Sequence, residues 1–201
     1  MSLDLRAMTV GDYLDRLAAA VPVPGGGAVA GVTLAQANAL GSMVVGYAIG
    51  KPKFAGHDAA HRAALAAFEL GRVQALDLAA QDAAAYAVLN ALWRLPKDDP
   101  ARAGFTDAVR AAIAAPEATV ALAERTLASL EALVGTTSAS LASDLRIAID
   151  LAAVGARAAQ ENVRINLPSL ADEAERNAVS TRTEAMLSRI ETAAKALVAR
   201  V

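Results

Sequence analysis

The chain has 201 residues and a mass of 20.5 kDa, and 55% of its residues are hydrophobic while only 3% are aromatic. Fifty-three residues are alanine and none is cysteine, which disfavours a β-sandwich or barrel and excludes disulfides, thiol nucleophiles and cysteine-ligated zinc. The net charge of -2 provides no field that would attract nucleic acid, so no nucleic-acid partner is expected.

Neither a signal peptide nor a membrane-spanning helix is expected. Asp4 and Arg6 interrupt any apolar run at the N-terminus, which indicates a cytoplasmic protein. The 34 residues from Leu17 to Gly50 contain no charged side chain, and a run of this length could cross a membrane. Because two prolines and three consecutive glycines interrupt the run, we interpret it as a loop followed by a buried helix.

Capping residues, prolines and glycines predict six helices. These helices are expected to cover about residues 9–20, 28–49, 57–94, 101–135, 138–164 and 169–201. Thr9 with Asp12, and Ser169 with Asp172, form the capping-box patterns that begin the first and the last helix. Pro116 lies inside the fourth predicted helix, where a proline is expected to kink or split it.

Several predicted helices are apolar on more than one face. The third has hardly any polar side chain over two turns within residues 79–88. A helix that is apolar all round is buried on all sides, and in a domain this small not every helix can be central. We therefore predict an all-α, single-domain helical bundle over residues 1–201 that forms a homodimer, the commonest symmetric assembly.

Asp82 is an isolated charge in an alanine-rich helix. It is the only charged residue between Asp77 and Arg94. A buried carboxyl group needs a partner or takes up a proton at a raised pKa, and either outcome suits acid/base chemistry. The structural alternatives are an aspartate on a narrow solvent-facing strip, or one paired with an arginine from another helix.

Two further features could attract anions. Three glycines precede the second predicted helix, namely Gly25, Gly26 and Gly27. Unpaired amides at a helix N-terminus attract anions, although no Walker-type Gly-Lys-Ser/Thr follows and a flexible turn is the alternative. Lys51 and Lys53 follow the same helix, where they offset its dipole or contact an anionic ligand.

The fifth predicted helix has polar residues near both of its ends. Asp144 lies near the start, where an acidic residue offsets the helix dipole or caps the first turn. Asn162 and Asn166 lie near the end, where asparagine often closes a helix. His57 and His61, on the third predicted helix, are four residues apart but have no third ligand nearby in the sequence, so no metal site is predicted.

Short motifs along the whole chain occur in a recognisable order. They are Pro22–Ala30, Gly41–Val44, Gly50–Phe54, Asp82 with Tyr86, Leu95–Lys97, Ser143–Leu145, and Asn162, Val163, Ile165, Asn166 and Leu167. In order and spacing they resemble the formimidoyltetrahydrofolate cyclodeaminase and methenyltetrahydrofolate cyclohydrolase family. The resemblance implies an all-α fold, a homodimer and a tetrahydrofolate derivative as substrate, with no permanently bound cofactor.

The resemblance also implies roles for individual residues. Asp82 falls on the acid/base aspartate of the family. The positions expected to line or shape the substrate site are Gly25, Gly26, Gly27, Lys51, Asp144 and Asn166. Either Lys51 or Lys53 is expected to meet the glutamate carboxylate of the folate, and the amides of the glycine loop are an alternative partner for it. The chain departs from the family pattern at Pro52, Ala84, Tyr86, Gly135 and Thr136.

Two reactions stay open at this point. One is hydrolysis of 5,10-methenyltetrahydrofolate to 10-formyltetrahydrofolate, and the other is cyclisation of 5-formimidoyltetrahydrofolate with release of ammonia. The cyclohydrolase is favoured because the sequence contains no formiminotransferase segment. The alternative of another class is a catalytically silent helical dimer that binds a folate or a protein partner, which the missing acidic residue at Ala84 favours.

Overall fold

The computed structural model describes residues 4–201. All regular structure in this part of the chain is helical, which confirms the all-α prediction. The six α-helices are α1 (Val10–Ala18), α2 (Gly26–Gly46), α3 (Asp58–Trp93), α4 (Phe105–Glu131), α5 (Ala142–Asn166) and α6 (Glu173–Val198). Short 3-10 turns cover Pro52–His57, Pro100–Gly104, Ala139–Leu141 and Leu167–Ser169.

Helix α2 lies at the centre of the bundle. It packs against α3 and α5, α4 packs against the same two helices, and α6 covers α4 and α5. Of the helices within residues 4–201, α2 alone is long and apolar enough to cross a membrane. Eleven of its 21 residues are buried inside the protein, as the sequence interpretation of a buried helix requires.

Small residues bring α2 and α3 into close contact. A methyl group added to Gly31 would stand 2.6 Å from Ala79 Cβ and 2.7 Å from the carbonyl oxygen of Ala75. Such distances leave room for a hydrogen atom only. One turn before Gly31 on α2 is Gly27, and one turn after Ala79 on α3 is Ala83, so the same contact brings the start of α2 against the neighbourhood of Asp82.

The start of α2 and the course of α4 differ from the prediction. Helix α2 begins at Gly26 rather than Ala28, so two of the three glycines form its first turn instead of a loop. Helix α4 continues through Pro116, which is buried, so the proline does not split the helix. A proline inside a helix removes one backbone hydrogen bond, and here the packing of α4 against α3 and α5 holds the helix together.

The capping predictions are correct at α1 and displaced at α6. Thr9 is the N-cap of α1, and its Oγ1 accepts a hydrogen bond from the amide of Asp12 at 3.1 Å. At α6 the prediction that Ser169 caps the helix is wrong, because Asp172 is the N-cap. The Asp172 carboxylate accepts a hydrogen bond from the amide of Ala174 at 2.9 Å.

Candidate active site

A cleft of about 330 Å³ opens where the start of α2 meets α3, α4 and α5. Its lining residues are Pro22, Val23, Gly25, Gly26, Gly27, Asp82, Tyr86, Trp93, Ala112, Asn162, Ile165 and Asn166. We call this space the Asp82 cleft, because among these lining residues Asp82 alone carries a charge. The volume lies within the range of sites that bind small molecules.

The carboxyl group of Asp82 lies against the first turn of α2. A methyl group on Gly27 would overlap this carboxyl group, so glycine is required at that position to leave room for it. The amide groups of a first helical turn have no helical acceptors and carry the positive end of the helix dipole. The glycines therefore serve to place a helix N-terminus directly beside a carboxyl group of α3.

Asp82 has no ion-pair partner within residues 4–201. Neither structural alternative from the sequence is therefore observed: the side chain is largely buried, and no arginine pairs with it. Burial raises the pKa of Asp82 to about 6, because removal from water penalises the charged form. A carboxyl group with this pKa gains and loses a proton near neutral pH, as a general acid or base must.

Two asparagines of α5 line the Asp82 cleft. Asn162 Nδ2 donates a hydrogen bond to the carbonyl of Ala158 at 2.9 Å, and Asn166 Nδ2 donates one to the carbonyl of Asn162 at 2.8 Å. These bonds use the amide NH₂ groups and leave the Oδ1 atoms available. Asn166 is 5% exposed, and its buried Oδ1 has no hydrogen-bond partner among the described residues.

Aromatic rings of α3 form one wall of the cleft. Tyr86 and Trp93 are seven residues apart, which is two helical turns, and their ring centroids lie 6.3 Å apart in an edge-to-face arrangement. Trp93 and Asn162 were not among the predicted site residues. The signals that could have identified them are their helical spacings, seven residues from Tyr86 and four from Asn166.

The remaining predicted site residues lie at the other end of the bundle. Helix α2 has 21 residues and is therefore about 30 Å long at 1.5 Å per residue, so Gly26 and Lys51 are far apart. A second cavity of about 610 Å³, here called the lysine cavity, is lined by Tyr47, Lys51, Pro52, Lys53, Phe54, Ser138, Ser140 and Leu141. Asp144 lies near the start of α5, at the opposite end of that helix from its two asparagines.

The structure thus divides the predicted site residues into two groups. It brings Asp82, Asn166 and the three glycines together in one cleft, and it does not bring Lys51, Lys53 or Asp144 to that cleft. Ala84, the position of the missing acidic residue, is exposed and does not line the cleft.

The two histidines lie near the lysine cavity and not in the Asp82 cleft. His61 is fully buried, and its Nε2 lies 3.1 Å from Thr136 Oγ1. The Thr136 hydroxyl donates to the carbonyl of Ala132 at 2.7 Å, so it accepts a hydrogen bond from His61 Nε2. No group of three His, Cys, Asp or Glu side chains within residues 4–201 lies close enough to hold a metal ion.

The chain is similar in sequence and in fold to several known proteins. The family model described as formiminotransferase-cyclodeaminase matches residues 9–185. The chain is 33% identical over 180 residues to formimidoyltransferase-cyclodeaminase from Sus scrofa. It is 30% identical over 171 residues to methenyltetrahydrofolate cyclohydrolase from Methylorubrum extorquens. These matches cover 85% and 83% of this chain.

The two relatives differ in length. The match covers 82% of the Methylorubrum protein but 32% of the Sus scrofa protein, so the chain spans about a third of the latter. The fold matches the crystal structure of formiminotetrahydrofolate cyclodeaminase from Thermotoga maritima with a TM-score of 0.86 at 25% sequence identity. That match covers 97% of this chain and 98% of the Thermotoga chain.

Proposed function

Since the chain belongs to the formiminotransferase-cyclodeaminase family of folate one-carbon enzymes, we propose that it hydrolyses 5,10-methenyltetrahydrofolate to 10-formyltetrahydrofolate. The observation that carries this proposal is the carboxyl group of Asp82, buried in a cleft of small-molecule size with a pKa of about 6. No permanently bound cofactor is proposed, because the reaction needs water and a proton carrier only.

The reaction requires three proton transfers, all of them on oxygen or nitrogen atoms bonded to the methenyl carbon. The methenyl carbon is bonded to N5 and N10 and carries a positive charge. As water forms the new C–O bond, the Asp82 carboxylate takes a proton from it. The Asp82 carboxyl then protonates N5 as the bond from the carbon to N5 breaks and the hydroxyl group loses its proton. One proton is released to solvent in total, and the formyl group stays on N10.

The side chains of the Asp82 cleft favour a cationic substrate, although the first-turn amides of α2 add a partial positive charge beside Asp82. Its described lining residues include one carboxyl group, the Oδ1 atoms of Asn162 and Asn166, and no basic side chain. Oxygen acceptors held in place before the reaction stabilise a positive charge without reorganisation. Tyr86 and Trp93 provide aromatic surface on which a pterin ring can stack.

Cyclisation of 5-formimidoyltetrahydrofolate is the second candidate. It is favoured by the fold match to a protein named as a cyclodeaminase. In this reaction N10 attacks the formimino carbon, the proton of N10 moves to the formimino nitrogen, and the protonated Asp82 carboxyl supplies the second proton with which that nitrogen leaves as ammonia. The same residue therefore serves both reactions, and only the substrates distinguish them.

A spectrophotometric assay decides between these candidates, because methenyltetrahydrofolate has its own near-ultraviolet absorbance. Loss of this absorbance faster than in buffer alone supports the cyclohydrolase. Its appearance from formimidoyltetrahydrofolate, with release of ammonia, supports the cyclodeaminase. If neither change occurs with folded protein, the proposal is wrong and the silent folate-binding or protein-binding dimer is favoured. The exposed position of Ala84, outside the cleft, weakens the original reason for that alternative.

We propose further that the protein is a cytoplasmic homodimer and that Lys51, Lys53 and Asp144 bind substrate. Lys51 lies beyond the far end of α2, a helix about 30 Å long, so one folate molecule with a single glutamate does not extend from Asp82 to Lys51 of the same chain. Both residues contact the same substrate only if a second copy presents its lysine cavity to the Asp82 cleft. Two chains packed side by side in opposite directions would meet this requirement.

A further inference from the structure

Pro116 leaves one backbone carbonyl of α4 without its helical partner. In an α-helix the carbonyl of Ala112 would accept a hydrogen bond from the amide of residue 116, but proline has no amide hydrogen. In this structure Asn166 Nδ2 of α5 donates to that carbonyl at 3.4 Å. Pro116 is buried and Ala112 lines the Asp82 cleft. The carbonyl that Pro116 leaves without a partner in α4 therefore accepts a hydrogen bond from a side chain of α5 at the cleft.

This contact helps to fix the orientation of the Asn166 side chain. Its Nδ2 donates both to the Ala112 carbonyl and to the Asn162 carbonyl at 2.8 Å. Since both partners are backbone acceptors, the NH₂ group must face them and Oδ1 must point the other way. That oxygen is buried and unpartnered among residues 4–201, and a buried acceptor without a donor is destabilising.

From these contacts we propose that Asn166 Oδ1 accepts a hydrogen bond from an N–H group of a bound reduced pterin, and that Pro116 is a positioning residue for this acceptor. The inference rests on the proposed folate substrate and assigns the pterin end of the molecule to this cleft. Pro116 acts indirectly, because its missing amide leaves the Ala112 carbonyl for Asn166.

The chemistry of the cleft favours the pterin over the glutamate end of a folate. Asn166 Oδ1, Asn162 Oδ1 and the Asp82 carboxylate are all acceptors, and the described lining residues include no basic side chain. A reduced pterin has an amino group and ring N–H groups that donate hydrogen bonds. A carboxylate or phosphate has acceptors only; the first-turn amides of α2 can donate to it, but it would lie beside the Asp82 carboxylate.

The substitution Pro116→Ala tests the positioning role. It restores an amide at residue 116 that competes with Asn166 for the Ala112 carbonyl. We expect the KM for the folate substrate to rise about fivefold to tenfold, the worth of one hydrogen bond, with kcat changed less than about twofold. The melting temperature should stay equal or rise, because alanine is the stronger helix former.

Thr119→Ala is the matched control. Thr119 is also buried on α4, but its Oγ1 bonds to the carbonyl of Ala115 and not to α5. We expect its KM to equal that of the wild-type protein. If Thr119→Ala raises KM as much as Pro116→Ala does, any disturbance of α4 produces the effect and the positioning role is wrong.

A double-mutant cycle identifies Asn166 as the intermediary. Asn166→Ala should raise KM at least as much as Pro116→Ala, and Pro116→Ala should have no further effect in the Asn166→Ala background. An unchanged KM for either single variant, or an equal effect of Pro116→Ala in both backgrounds, would overturn the inference.

Wild-type turnover in the same assay keeps this test distinct from that of the proposed function. If the wild-type protein is active and the variants match it, only the inference on Asn166 and Pro116 is wrong. If the wild-type protein turns over neither folate, the proposed function is wrong, and the dissociation constant for 5-formyltetrahydrofolate, measured by calorimetry, replaces KM in the same cycle. Absence of any binding by the wild-type protein would overturn both the proposed function and the inference on Asn166 and Pro116.

Discussion

The two ends of the helical bundle carry opposite charges in different surroundings. The Asp82 cleft holds one carboxyl group that is largely buried, whereas the lysine cavity has two exposed lysines and no acidic residue among its described lining residues. Helix α2 begins at the first site and ends near the second. Burial in the Asp82 cleft raises the pKa of Asp82 into the range useful for proton transfer. The exposed lysines of the lysine cavity are instead suited to electrostatic attraction of an anion.

The largest expected effect is on catalysis at the buried end. Asp82→Asn should lower kcat by about two to four powers of ten, because it removes the proton carrier. Asp77→Asn is the control, since Asp77 is on the same helix but is exposed and paired with Arg6. The measurement is the absorbance assay on folded variants. Near-normal turnover by Asp82→Asn would contradict the assignment of catalysis to the Asp82 cleft.

The same substitution should stabilise the protein in a pH-dependent way. The pKa of Asp82 is raised from 3.8 to about 6 in the folded chain, so the folded state binds this proton more tightly than the unfolded state. The resulting stability is fully present below pH 3.8 and is lost as the pH rises through 6. At pH 8, Asp82→Asn should therefore increase the free energy of unfolding by about 3 kcal/mol.

Denaturant unfolding between pH 4 and pH 8 checks this expectation. The gain from Asp82→Asn should be small at pH 4 and reach its full size above pH 7. A gain of equal size at every pH would mean that it comes from packing and not from the buried charge.

A smaller effect is expected from the glycine that makes room for the carboxyl group. Gly27→Ala adds a methyl group that overlaps the Asp82 carboxyl, so the carboxyl must move and kcat should fall about tenfold. Gly26→Ala is the matched control, because its methyl group would lie 3.4 Å from Asn162 Oδ1 and displace little. Equal kcat values for the two variants would show that the position of the carboxyl group is not set by residue 27.

The smallest effect is expected at the lysine cavity. Lys51→Ala should raise KM about twofold to fivefold, as expected for an exposed ion pair, with little change in kcat. A mixed dimer of wild-type chains and Asp82→Asn/Lys51→Ala chains tells where the lysine acts. If Lys51 serves the cleft of its partner, the one active site of the mixed dimer has the raised KM. A wild-type KM in the mixed dimer would contradict a shared site.

Much of the fold could be predicted because local signals and packing agree. Prolines, caps and the alanine-rich pattern predicted six helices, and Asp82 was conspicuous because alanines surround it. The start of α2 was misplaced because glycine is a weak helix former, and the glycine at position 27 is explained only by the close approach of Asp82. The packing of neighbouring helices outweighs propensity at that position.

The composition of the cleft was harder to predict. Motif order does not show which end of a helix faces which neighbour, so Lys51 and Asp144 were grouped with Asp82 although they lie at the other end of the bundle. The role of the Ala112 carbonyl cannot be predicted from the sequence, because every residue has a backbone carbonyl. Pro116 was interpreted only as a helix breaker, and its relation to Asn166 depends on a contact between residues 54 positions apart.

The contact between Gly31 and Ala79 sets how closely α2 and α3 approach each other beside the Asp82 cleft. Neither residue lines the cleft, yet together they set the spacing of α2 and α3 one turn away from Gly27 and Asp82. One added carbon at either residue would push the two helices apart there, and we expect the shape of the cleft to change while every lining side chain stays the same. A search for variants with a reshaped cleft should therefore begin at these interior helix contacts, before any residue that lines the cleft is changed.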